Sequence, residues 1–282
     1  MTNRRLYGFG NDHPELKDAV IYGMPGHVGN NYGIVIQKLS HIVPFGCEST
    51  YGEATLAACY GEEPVKLTGI EQDIESKWEQ KMENRWTVLQ NLFSAIPEIG
   101  MDREDAWIGK GSYDLQIGKD MEGRFWAIIT GGAEGLKNQV ANYFGERMQD
   151  GCLRGLVADE YLRVLNILDS IAGEYRKSLL GAVEETMHRY HTDEELTTWH
   201  NTIRQQADGT FTIRRGAAFG RAIERIIVAV KREEDSYLIG RGQNRKEWGE
   251  SVPLEVGNVA VGSLLETFTI ENYIKVQKTI YL

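Results

Sequence analysis

The strongest constraint on the fold of this chain is a long apolar ridge that begins near Leu153. Val157, Tyr161, Val164, Leu168, Ile171 and Tyr175 alternate spacings of four and three. That is the heptad rhythm of a helix with one apolar edge. Leu179, Val183, Met187 and Tyr190 continue it with looser spacing. An unbroken helix over 153–190 would rise about 1.5 Å per residue and reach on the order of 55 Å. A compact domain of 282 residues is narrower than such a rod. Either the helix breaks, at Gly173 or Gly181, or it projects and a second copy of the chain covers part of the ridge. Leu156, Leu165, Ile167 and Leu180 widen the stripe beyond a strict seam, so a core role is open to the same helix. The ridge sets the first expectation: a homo-oligomer assembled through the helix 153–190.

The flanking sequence predicts an α+β fold, with strand-rich N- and C-terminal parts around central helices, one of them very long. DAVIYGM and GIVIQKLSHIVPF read as strands, separated by the loop GMPGHVGNN. ATLAACYG fits strand or helix. Thr68 and Glu71 have capping-box spacing. Ile74, Trp78, Met82, Trp86, Leu89, Phe93 and Ile96 then draw a helical stripe that Pro97 ends. SYDLQIGKDMEGRFWAIIT predicts a hairpin turning at KDMEG, followed by a glycine turn and a helix through Leu136, Val140, Phe144 and Met148. A second capping-box match, Thr192 and Glu195, predicts a short helix through Leu196, Trp199 and Ile203. AAFGRAIERIIVAVKR reads as an amphipathic helix, and the segment from SYLIG to KTIYL as mostly strand. We expect a single domain over 1–282, with sub-boundaries near 67–70 and 232–236.

Composition narrows the function classes. A net charge of −10 works against long-range attraction to nucleic acid or anionic membrane. No apolar run is long enough to span a bilayer, and no h-region follows MTNRRLYGFGNDH. Three cysteines without CxxC spacing read as free thiols in a reducing compartment. These features predict a cytoplasmic protein.

The glycine turn ITGGAEG resembles a phosphate cradle only superficially. It has neither the Gly-Lys-Ser/Thr ending of a Walker loop nor the GxGxxG of a dinucleotide site. Glu134 also stands near the helix start, where it would repel a phosphate. The turn reads as a corner, and no cofactor signature is found elsewhere. EETMHRYHTDEELTTWH supplies Glu185, His188 and His191 as the candidate metal ligands. Glu-x-x-His puts two ligands on adjacent turns, but di-iron sites need a second copy that this chain lacks. The sequence therefore predicts no metal centre. Cys47 and Glu48, with His41 upstream, are the candidate catalytic residues, because a cysteine nucleophile needs a nearby base. His27, Asn30 and Asn31 in the glycine loop, with Arg214, Arg215 and Arg221, are the candidate ligand-binding residues.

No complete catalytic constellation emerges. The leading expectation is a non-enzymatic protein-binding or assembly protein whose partners are itself and another protein. An enzyme acting on a nucleotide or small phosphorylated metabolite is the alternative. The third reading is an anion or RNA binder using the C-terminal arginines.

Overall fold

A computed structural model describes residues 20–25, 32–42, 54–63, 66, 68–96, 113–132, 136–199, 201–215, 225–231, 235–242 and 268–282. Its strands are β1 (Val20–Pro25), β2 (Tyr32–Leu39), β3 (Ala54–Gly61), β4 (Asp114–Asp120), β5 (Phe125–Gly131), β6 (Glu195–Trp199), β7 (Thr202–Gln205), β8 (Phe211–Arg215), β9 (Arg225–Lys231), β10 (Asp235–Gly242) and β11 (Phe268–Tyr281). Its helices are α1 (Glu71–Asn84), α2 (Trp86–Ser94), α3 (Lys137–Gly145) and α4 (Gly155–Met187). The architecture is α+β, as expected, with strand-rich ends and one long helix.

Period-two alternation builds two layers from one sheet. The order is β6-β3-β5-β4-β11-β10-β9, with every pairing antiparallel. Leu56, Ala58 and Tyr60 of β3, with Phe125, Ala127 and Ile129 of β5, join a large core shared with the helices. The intervening Ala57, Cys59, Trp126 and Ile128 face a second core, where they meet Leu196, Ile227, Tyr237, Ile239 and Ile274. The edge strands β6 and β9 approach one another across that second core. Ile227 N–H donates to Thr198 Oγ1 at 2.9 Å, and Arg225 pairs with Glu194. Side chains, not a backbone ladder, thus close the curled sheet and blunt its edges. A smaller sheet, β1-β2-β8-β7, delivers Leu39, Phe211 and Ile213 to the large core.

Helix α4 runs unbroken for 33 residues, about 50 Å at the standard rise. It breaks at neither Gly173 nor Gly181. Tyr161, Val164, Leu168, Ile171, Leu179 and Val183 are each no more than 1% exposed, because α1, α2 and β5 lie along the helix. The chain covers most of its own ridge, while Leu156 beside it and Tyr190 at its end stay exposed. A Cβ at Gly173 would meet no atom within 4 Å. Glycine in a helix interior is about 0.8–1.0 kcal/mol less favourable than alanine. Gly173→Ala is therefore expected to raise unfolding free energy by roughly 0.5–1 kcal/mol. Urea denaturation checks this; an unchanged or lower midpoint would mean that the site is not open.

Several local expectations fail for identifiable reasons. Residues predicted as a helix from Thr192 through Ile203 form β6 and β7 instead. Thr192 Oγ1 accepts the Glu194 N–H in a turn, and pairing with β3 and β8 then takes over. The helix predicted around Ile226 is the strand β9, where β-branched Ile226, Ile227, Val228 and Val230 pair with β10. Neither capping box forms. Helix α1 starts at Glu71 with Ile70 as its N-cap and no side-chain cap bond, while Glu71 reaches Lys278 of β11. The stripe from Ile74 to Ile96 divides at Arg85 into α1 and α2. Arg85 then bonds Glu174 of α4 at 2.9 Å.

Candidate functional site

The described start of the glycine turn, Gly131 and Gly132, stands at the end of β5. Tyr113 Oη donates to Gly132 O at 2.9 Å, and Arg176 Nη1 donates to Gly131 O at 2.8 Å. The described part of the turn thus presents carbonyls to side-chain donors. Residues 133–135, including Glu134, lie outside the described residues.

Arg176 leads from that turn to a cavity. Helix α4 has a second face beside its ridge: Leu162, Leu165, Asn166 and Asp169 stand at i, i+3, i+4 and i+7. The opposite wall begins at Trp199 and Asn201, where the chain leaves the seven-stranded sheet and enters the four-stranded one. Strand β7 completes it with Thr202, Ile203, Arg204 and Gln205. A chain that switches sheets against a helix leaves a concavity, here about 410 Å³. Small-molecule sites fall at roughly 300–1,000 Å³.

Asp169 dominates the polar chemistry of this cavity. Trp199 Nε1 donates to its Oδ1 at 3.1 Å. Arg176 Nη2, on a side chain only 5% exposed, lies 3.8 Å from the same oxygen. Oδ2 accepts no hydrogen bond from a described residue. Burial pushes the Asp169 carboxyl above the usual range, against the opposing pull of Arg176, the Trp199 hydrogen bond and Arg204. The side chain is nevertheless 43% exposed, so this carboxylate is walled by protein and open on one side. The Thr202 hydroxyl in the opposite wall is buried without a partner. The described lining contains no histidine, cysteine or lysine; its chemistry is hydrogen bonding beside an indole and two leucines.

A second polar cluster closes the curled sheet. Asp120 Oδ1 accepts the backbone N–H groups of Glu122 and Arg124 at 3.0 and 2.9 Å. Its Oδ2 accepts from Arg124 Nε, Trp126 Nε1 and Asn272 Nδ2 at 2.8, 2.9 and 3.0 Å. Arg124 continues to Glu194 at 3.0 Å, Glu194 to Arg225, and Arg225 to Glu271 at 2.6 Å. Each charge in this chain already has a partner, which makes the cluster a clasp between strands. Burial also pushes the adjacent Cys59 thiol up, leaving it less thiolate and less nucleophilic.

The sequence-predicted residues lie elsewhere. His27, Asn30, Asn31, Cys47, Glu48 and Arg221 fall outside the described residues. His41 is buried, with Nδ1 2.7 Å from Ser40 Oγ. Arg214 and Arg215 stand in β8, opposite Val35 and Ile34 of β2. Glu185 pairs with Lys81 at 2.9 Å. His188 caps α4 in the left-handed conformation, at φ 51°. His191 turns to Glu184 and Glu195 and sits edge-on to Tyr60. Those three do not converge, and among the described residues no group of three His, Cys, Asp or Glu side chains could hold a metal ion. Asp169, Trp199, Asn201, Thr202 and Gln205 are not among the site residues that the sequence suggests. The readable signal was Asp169 itself, a carboxylate one position beyond a ridge leucine.

No protein-family model and no curated protein matches the chain. Among the described residues, no helix is long and apolar enough to cross a membrane. Fold and geometry therefore carry the functional reading.

Proposed function

We propose that the chain binds a small polar molecule in the cavity between α4 and β7. The observation that carries this reading is Asp169. A carboxylate held by Trp199 and Arg176, lifted in pKa by burial, and lining a cavity is arranged for a ligand's donors. This supports a small-molecule site over assembly through the α4 ridge, most of which α1, α2 and β5 cover.

Asn166 is an exposed residue of the cavity wall, so Asn166→Trp blocks the space while sparing the core. In a thermal-shift screen of polar metabolites, a ligand at about 100 times its Kd stabilises the folded state by roughly 2.7 kcal/mol. At least one compound is expected to raise the Tm of the natural chain by on the order of 5 °C, and to leave Asn166→Trp unmoved. Equal shifts in both proteins, or no shift across the screen, would overturn the reading.

A further inference from the structure

We infer that the ligand is a guanine nucleoside or nucleotide, with Asp169 accepting two adjacent N–H donors from the base. This rests on the cavity being the binding site and adds the ligand's class.

Arg176 and Arg204 both act on Asp169, so its charge is already opposed and a cationic ligand gains little there. An anionic group placed against the carboxylate would be repelled. A neutral group facing the carboxylate fits both restrictions. An ionised carboxylate only accepts hydrogen bonds, and its two oxygens provide about four lone-pair directions. Trp199 Nε1 uses one of these, at 3.1 Å on Oδ1. Two adjacent donors can still be accepted in parallel, the geometry that makes carboxylate pairing selective.

Among the common nucleobases, guanine alone carries two neighbouring donors, N1–H and N2–H, on its pairing edge. Adenine and cytosine each set a single amine beside a ring acceptor, and uracil sets one N–H between two carbonyls. The hydrogen bond from Trp199 to Asp169 also fixes the indole next to the carboxylate. Trp199 lines the cavity, and an aromatic ring is the usual platform for a base. The carboxamides of Asn166 on α4 and Gln205 on the opposite, β7 wall are donors of the kind that guanine O6 and N7 accept.

Calorimetric titration of the full chain with guanosine, inosine, adenosine, cytidine and uridine tests the inference. Inosine is the sharp comparison, since it keeps N1–H and lacks the second donor. Guanosine is expected to bind at least tenfold more tightly than inosine and the other three, and Asp169→Asn to weaken guanosine at least tenfold. Should Asp169→Asn fail to fold, the guanosine–inosine ratio decides by itself. Equal affinity for guanosine and inosine, or preference for another nucleoside, overturns the guanine assignment. If no nucleoside binds but a screened metabolite binds and is blocked by Asn166→Trp, the assignment falls while the cavity stands. If Asn166→Trp blocks nothing that binds, both fall together.

Discussion

Replacing Asp120 with asparagine is expected to cost about 3–5 kcal/mol of unfolding free energy, the range for breaking one side of a buried, hydrogen-bonded ion pair. Typical domains hold only about 5–15 kcal/mol in total. The Asp120 side chain is 0% exposed and receives five donors. An asparagine keeps one oxygen and turns an NH2 toward groups that are themselves donors. Arg124, Trp126 and Asn272 then lose part of their acceptor, and a buried donor left unpaired costs about 1–3 kcal/mol. Burial alone would raise the Asp120 pKa, but hydrogen bonds from Trp126 and Arg124, with the Arg124 charge, bring it below the usual value.

The pH dependence follows from that direction. A carboxyl with a depressed folded pKa contributes stability that is present above its unfolded pKa, about 3.9, and lost as pH falls through the folded value. The gap between the natural chain and Asp120→Asn should be constant above roughly pH 5 and should close as the solution is acidified below the unfolded value. Urea titrations at stepped pH measure it. A gap under about 1 kcal/mol, or one unchanged down to the acid limit, would mean that the five contacts do not hold an ionised carboxylate.

The sequence rendered local, repeated patterns well and long-range pairings poorly. Helix α4 was readable because its ridge repeats many times within one element. The β4–β5 hairpin was readable because the alternating DLQIG and the apolar run FWAIIT stand on either side of a charged turn. Strands β6 and β7 were not. Leu196, Trp199 and Ile203 happen to stand at helical spacing, yet Leu196 belongs to one sheet and Ile203 to another, a division decided by β3 and β8. The candidate site shared that fate. Its two walls come from α4 and from the stretch misread as helix, so Asp169 and Trp199, 30 positions apart, had no visible reason to meet. Asp120 and Asn272 are separated by 152 positions, and nothing local to either residue announces the other.

Gly131→Ala is expected to be comparably damaging, for a steric reason alone. Gly131 does not occupy the left-handed region, so alanine introduces no backbone strain. Its Cβ would instead stand within 3.0 Å of the Tyr113 ring carbons Cδ1, Cε1 and Cγ. A ring free to swing aside would make this inexpensive, and Tyr113 is not free. Its hydroxyl is tied to Gly132 O at 2.9 Å, and its backbone N–H and C=O both pair with Leu282. Trp78 and Tyr175 meet its ring edge-on, with centroids 5.5 and 6.1 Å away. Overpacking a well-filled core costs about 1–3 kcal/mol and more where the neighbours are fixed; a loss of at least about 3 kcal/mol is expected here. The steric account has its own signature. Tyr113→Leu removes the ring that the new methyl strikes, so the double variant should lose less than the sum of the two singles, by about 1–3 kcal/mol of coupling. Additive losses in denaturant titrations would place the damage somewhere other than this contact, and a Gly131→Ala protein as stable as the natural one would show that the contact can open.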